Sequence, residues 1–186
     1  MFNGMRSKKI ETFEINVKRQ HWIKDDGQYD PHDLCSHGKV YVQIGMEVLN
    51  TENDLSLTLS AAGLFLLRSL QNNCDFEEFD NLMVPCCGNF ISLNDEDPAS
   101  VIVQGCREGV DWSTKHRDDM VELETPSGTK VLIPFDRYRN TVLRFVCEVE
   151  SFYGPPENKV SSDDDYFRLA FERFWLEWRD LKERWT

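Results

Sequence analysis

With 186 residues, 40% of them hydrophobic and 12% aromatic, the chain has the length and apolar content of one globular domain with a full core, which excludes disorder for most of its length. Its 33 acidic and 21 basic side chains leave a net charge of −12, a balance that speaks against nucleic acid and anionic membrane surfaces, both of which call for clustered Lys and Arg. The longest apolar run, Ala61 to Leu67, falls far short of the ~18 residues of a membrane span, and MFNGMRSKKIETF carries no apolar stretch behind its basic residues, so a cytoplasmic protein with six reduced cysteines is the expectation.

Phe13, Ile15 and Val17, and again Val40, Val42 and Ile44, alternate with polar residues in the period-2 pattern of half-buried strands. Between them DDGQYDPHDLCSHG has Gly and Pro punctuation and no periodicity, which predicts a loop. Leu55, Leu57 and Leu59 alternate with Ser56, Thr58 and Ser60 and extend the strand theme. Ser60 is then placed to cap a buried helix over 61–72, where AAGLFLLRSL is apolar on nearly every side. Beyond the acidic CDFEEFDN, the segments VPCCGNF and VIVQGC lead to a hairpin with arms MVELE and TKVLIPF around the turn TPSG.

Over 136–153, Tyr138, Val142, Phe145, Val149 and Phe152 fit a helical stripe, while TVLRFVCEV also reads as a strand; the length and the Gly154-Pro155-Pro156 stop favour helix. The last segment, 163–185, places Phe167, Phe171, Phe174, Trp178, Leu181 and Trp185 on one face, with Ser162 or Asp163 as cap and an acidic first turn. That face closes the core, which leaves Trp175, off the stripe, and Trp185, at the end of the helix, as candidates for exposure. Strands grouped early and in the middle, without βαβ alternation, predict a single α+β domain over 1–186: an antiparallel sheet with about three helices packed on one side.

The charge is unevenly spread. Residues 1–24 are net +4, 25–100 net −12 and 101–186 net −4, so the middle segment alone equals the total. Its acids Asp75, Glu77, Glu78, Asp80, Asp95, Glu96 and Asp97 are the expected contacts for a basic protein partner, because a negative face steers a cationic one into contact. Neither cluster has the ligand order of an EF-hand, and a glycosidase pair depends on spatial separation that spacing does not reveal.

The densest set of ligand-type side chains is Asp30, His32, Asp33, Cys35 and His37. Zinc accepts these groups, and a metal-dependent enzyme or metal-binding domain on this loop is the alternative function class. His32 and His37 have the separation of one ligand knuckle, but the adjacent Cys86 and Cys87 make no clean second one, and Asp and His that cap turns account for the loop as well. No metal and no cofactor are therefore assigned. Cys86 or Cys87 is the best-placed nucleophile and His116, near Asp118 and Asp119, the best-placed base, yet nothing electropositive marks the thiols and sequence neighbours are not a triad. No catalytic residue is assigned, and neither phosphate-binding glycine motif is present.

In size, acidity, lack of a readable export signal and lack of a catalytic motif, the chain resembles the small acidic bacterial toxin-immunity proteins. The resemblance is one of whole-chain character and transfers no site residues. It implies a non-catalytic cytoplasmic inhibitor of a cognate basic toxin such as a nuclease.

Overall fold

Strand β1 (Phe13–His21) buries Phe13 and Ile15 and pairs antiparallel with β4 (His37–Ile44) in a register running from Phe13 opposite Ile44 to His21 opposite His37. A bulge between Val17 and Arg19 shifts that register by one residue. Gly38 is required here, since a Cβ would lie 2.1 Å from the Arg19 carbonyl oxygen. The computed structural model describes residues 12–30, 32–75, 82–87, 90–105, 107–154, 159 and 164–186. The expected loop at 25–38 contains a small hairpin, β2 (Lys24–Asp25) and β3 (Gln28–Tyr29), and its last two residues already belong to β4. The first sheet is completed by β5 (Glu47–Asn50) and β6 (Leu57–Thr58), both paired with β4.

Helix α1 (Leu59–Ser69) starts and ends earlier than the pattern predicts. Leu59 is its first residue rather than the end of a strand, with its N–H donated to Ser36 O at 2.8 Å. Ser60 does not cap. Its Oγ accepts the Ser36 N–H, while Thr58 at the N-cap position donates its hydroxyl to the Cys86 carbonyl. Every residue of α1 except Arg68 is buried, and the helix packs on α2, α3, β4 and β7 (Val84–Pro85).

Three further antiparallel units follow. β8 (Phe90–Leu93) pairs with β9 (Val101–Gln104), β10 (Gly109–Val110) pairs with β7, and β11 (Ser113–Arg117), β12 (Met120–Glu124) and β13 (Lys130–Pro134) form a meander that contains the predicted hairpin. The antiparallel strands are thus shared among several small sheets. With three helices among the described residues this is an α+β architecture.

Helix α2 (Phe135–Tyr153) settles the choice at 136–153. It buries Tyr138, Val142, Phe145, Val146, Val149 and Tyr153; Phe152 is half-buried and stacks on Trp22 at 4.9 Å. Helix α3 (Asp165–Trp185) is capped by Asp164, whose carboxylate accepts the Tyr166 N–H at 2.8 Å; Ser162 and Asp163 lie outside the described residues. The helix is covered along more than one line, by α1, by the β8–β9 hairpin and by Tyr153 of α2, so its buried face is wider than the predicted stripe. Trp175 is consequently buried against Tyr153 at 4.7 Å, whereas Phe167, in the first turn, is exposed. Trp185 is half-buried against Phe135. No helix among the described residues is long and apolar enough to cross a membrane.

Candidate functional site

The Asp30–His37 loop uses its polar groups on its own backbone. Asp33 is buried, and its carboxylate accepts from Ile23 N at 2.7 Å, Cys35 N at 3.3 Å and His37 Nε2 at 3.3 Å. Burial alone would raise its pKa, but the bonds from His37 and Ile23 N hold it below the usual carboxylate range. Asp30 Oδ1 accepts the His32 N–H at 2.8 Å in an Asx turn. Ser36 N donates to the Tyr153 hydroxyl, which donates in turn to Leu34 O, so the loop is tied to the end of α2. Burial pushes the Cys35 thiol up to about 12, the reverse of a reactive thiolate. Among the described residues no group of three or more His, Cys, Asp or Glu side chains is placed to hold a metal ion.

The Cys86 backbone and the His116 ring take part in structural hydrogen bonds. Cys86 donates its N–H to Glu108 O and accepts from Thr58, and both Cys86 and Cys87 are half-buried. His116 Nε2 lies 3.0 Å from Ser69 O with its ring against Phe135, while Asp118 and Asp119 form the exposed β11–β12 turn. Nothing described joins His116 to either carboxylate. A 580 Å³ depression lined by Lys39, Asn50, Asp54, Leu55, Cys86 and Val110 is open to solvent, and Lys39 Nζ bonds the Asp54 carbonyl there.

The acidic residues behave differently, because they face solvent. Asp95, Glu96 and Asp97 occupy the exposed loop between β8 and β9, where Asn94 Oδ1 accepts the Glu96 N–H and Asp97 Oδ1 accepts the Ala99 N–H, each at 3.1 Å. Asp97 borders a 350 Å³ depression with Gln71, Asn72 and Arg68; Asp75 borders a 200 Å³ depression with Cys74, Asn72 and Arg68. The shared Arg68 and Asn72 put Asp75 and Asp97 on one stretch of surface around the C-terminal end of α1. Glu77, Glu78 and Asp80 lie outside the described residues. The exposed Asp75 has Lys115 at 3.8 Å.

No protein-family model, no curated protein and no solved structure matches the chain.

Two charged groups beneath this surface were not singled out by pattern. Arg68 Nε and Nη2 donate to the two oxygens of Glu177 at 2.7 and 2.8 Å; Glu177 Oε2 also accepts Val101 N at 2.9 Å, and Arg68 Nη2 donates to Val101 O at 2.6 Å. This network fastens the acidic hairpin to α1 and α3. The signal for it was present, since Arg68 is the only charge in an otherwise apolar helix and calls for a buried partner.

The second group is Asp111, whose Oδ1 accepts Met83 N at 3.0 Å. Burial, reinforced by Asp75, raises it to about 6 against bonds from Met83 and Trp112 that lower it. A raised carboxylate binds its proton more readily in the folded state, so stability falls as pH rises from about 4 to about 6 and stays lower above. Asp111→Asn keeps an acceptor for Met83 and removes the charge. At pH 7.5 it is expected to stabilise by about 1–2 kcal/mol, allowing for solvent screening at this half-buried site, with no gain at pH 4. Urea midpoints at the two pH values read this directly, and a variant less stable than the parent at pH 7.5 contradicts it.

Proposed function

We propose that the chain is a non-catalytic binding protein that engages a basic protein partner through the acidic surface bordered by Asp75, Asp95, Glu96 and Asp97. In this reading it serves in a bacterial cytoplasm as the inhibitor of a cognate basic toxin, such as a nuclease. The observation that carries the reading is that exposed carboxylates from two separate acidic stretches border one surface, in a chain of net charge −12. A field of that sign accelerates encounter with a cationic protein and weakens as salt screens it. The inhibitor needs no chemistry of its own, which suits a molecule whose His116 and Asp33 are engaged in structural hydrogen bonds.

The test uses the purified protein as bait against lysate and secreted fractions of the cells that produce it, alongside a variant with Asp75, Asp95, Glu96 and Asp97 changed to Lys. The parent is expected to retain a basic protein at one-to-one stoichiometry. The variant is expected to associate at least ~10-fold more slowly at low salt and with a flatter salt dependence. Equal association rates for parent and variant reject the assigned surface.

A further inference from the structure

At the opposite end of the β8–β9 hairpin from Asp95–Asp97, three aromatic rings form a chain on the outside of the molecule. Phe90 meets Phe167 edge-on at 5.8 Å, and Phe167 meets Tyr166 edge-on at 5.7 Å. The three side chains are 45%, 38% and 45% exposed, and Leu169, one turn along α3, is 46% exposed. Scattered surface apolar residues are ordinary, but contiguous aromatic ones mark contact sites. Folding does not account for them, because α3 is already anchored by Phe171, Phe174, Trp175, Trp178 and Leu181 and by the Glu177 network.

The charge beside these rings identifies what fits them. Asp164 and Asp165 sit at the start of α3 with Glu172 two turns on, and the one cation between them, Arg168, is bonded to both Asp165 at 2.6 Å and Glu172 at 3.2 Å. The first two turns therefore keep an excess of negative charge, and a second copy would bring another net −12 against it. A guanidinium, by contrast, is attracted both by the carboxylates and by the faces of Tyr and Phe rings. The four-residue hairpin strands separate this patch from the acidic loop by roughly 10 Å, a distance one partner segment spans easily.

We infer that Phe90, Tyr166 and Phe167, with Asp164 and Asp165 beside them, form the anchoring site for an arginine-bearing, partly apolar segment of the basic partner. The inference rests on the basic-partner reading above and adds to it a specific contact: arginine on the ring faces and apolar side chains over Leu169.

Two labelled ten-residue peptides of equal charge, one alternating Arg and Leu and the other Lys and Ser, test it by fluorescence anisotropy at low salt. The parent protein is expected to bind the Arg–Leu peptide about tenfold more tightly. Phe90→Ser with Tyr166→Ser removes that preference and leaves Lys–Ser binding unchanged. Tyr166→Phe retains it, and Tyr166→Ser alone, at an exposed helix position, reduces it about threefold with parental helix dichroism. Changing Asp95, Glu96 and Asp97 to Lys weakens both peptides alike and preserves their ratio. A preference that stays at its full parental value in the Tyr166→Ser variant overturns the anchoring site even when the acidic-loop variant behaves as described. Lysine substitutions without effect on either peptide overturn the acidic-surface reading instead. Sedimentation showing a dimer that the double variant dissolves overturns the anchoring site in favour of a second copy.

Discussion

Glu177→Ala is expected to cost about 3–5 kcal/mol, a large share of the stability of a domain this size. The side chain is 9% exposed and accepts three hydrogen bonds, two from Arg68 and one from Val101 N. Truncation leaves a mostly buried guanidinium without its counter-ion and a buried backbone N–H without an acceptor, and each loss carries a desolvation penalty. Glu177→Gln keeps the shape and one acceptor oxygen and is expected to cost less, about 1–2 kcal/mol. Replacing both partners by apolar residues, Arg68→Met with Glu177→Leu, should recover much of the loss, because the expense lies in stranding a charge rather than in lacking a pair. Urea midpoints of the parent and the three variants measure these differences. A cost below 1 kcal/mol for Glu177→Ala would show that the network is only a surface ion pair. The same variant bears on binding, since Val101 opens the strand that follows the Asp95–Asp97 loop and loses its tether to α3.

The sequence made the periodic elements legible and left the cross-chain contacts hidden. The β12–β13 hairpin follows from Pro126 and Gly128 between runs of alternating residues, and α2 from a stripe long enough to outweigh the strand-like TVLRFVCEV. Helix α1 starts at Leu59 instead of behind a Ser60 cap because the Ser60 and Thr58 hydroxyls go to Ser36 N and Cys86 O, contacts far along the chain that residue type does not report. A single stripe assumes one neighbour, whereas α3 has three, so Trp175 is buried although it lies off the stripe. The same gap separates composition from site. Asp30, His32, Asp33, Cys35 and His37 have the chemistry of metal ligands, but Asp33 turns inward to Ile23 N and Cys35 N, and no spacing rule reports that direction. The acids of the β8–β9 loop were easier, since consecutive Asp95-Glu96-Asp97 next to Pro98 has little option but to face water.

Gly63→Ala is expected to destabilise by about 2–3 kcal/mol, although alanine is the better helix former by ~1 kcal/mol. A Cβ at this position would lie 2.2 Å from Trp178 Cη2 and 2.6 Å from Cζ3, well inside contact distance. The indole cannot retreat. It is fully buried, with Phe174 at 5.9 Å and Trp175 at 5.4 Å ring to ring, so relief requires α1 and α3 to separate. Trp178→Phe removes the six-membered ring portion that carries both atoms and makes room for the methyl, at a cost of its own from the vacated volume. In that background Gly63→Ala should be neutral or stabilising by its helix propensity, giving a coupling of at least 2 kcal/mol in the double-mutant cycle. An unchanged cost there would place the origin of the effect elsewhere than in the glycine–indole contact. Because Glu177 adjoins Trp178, a displaced α3 also draws its carboxylate from Arg68 and Val101. Gly63→Ala and Glu177→Ala should therefore be less than additive when combined, as expected when one interface sets both the core and the position of the acidic hairpin.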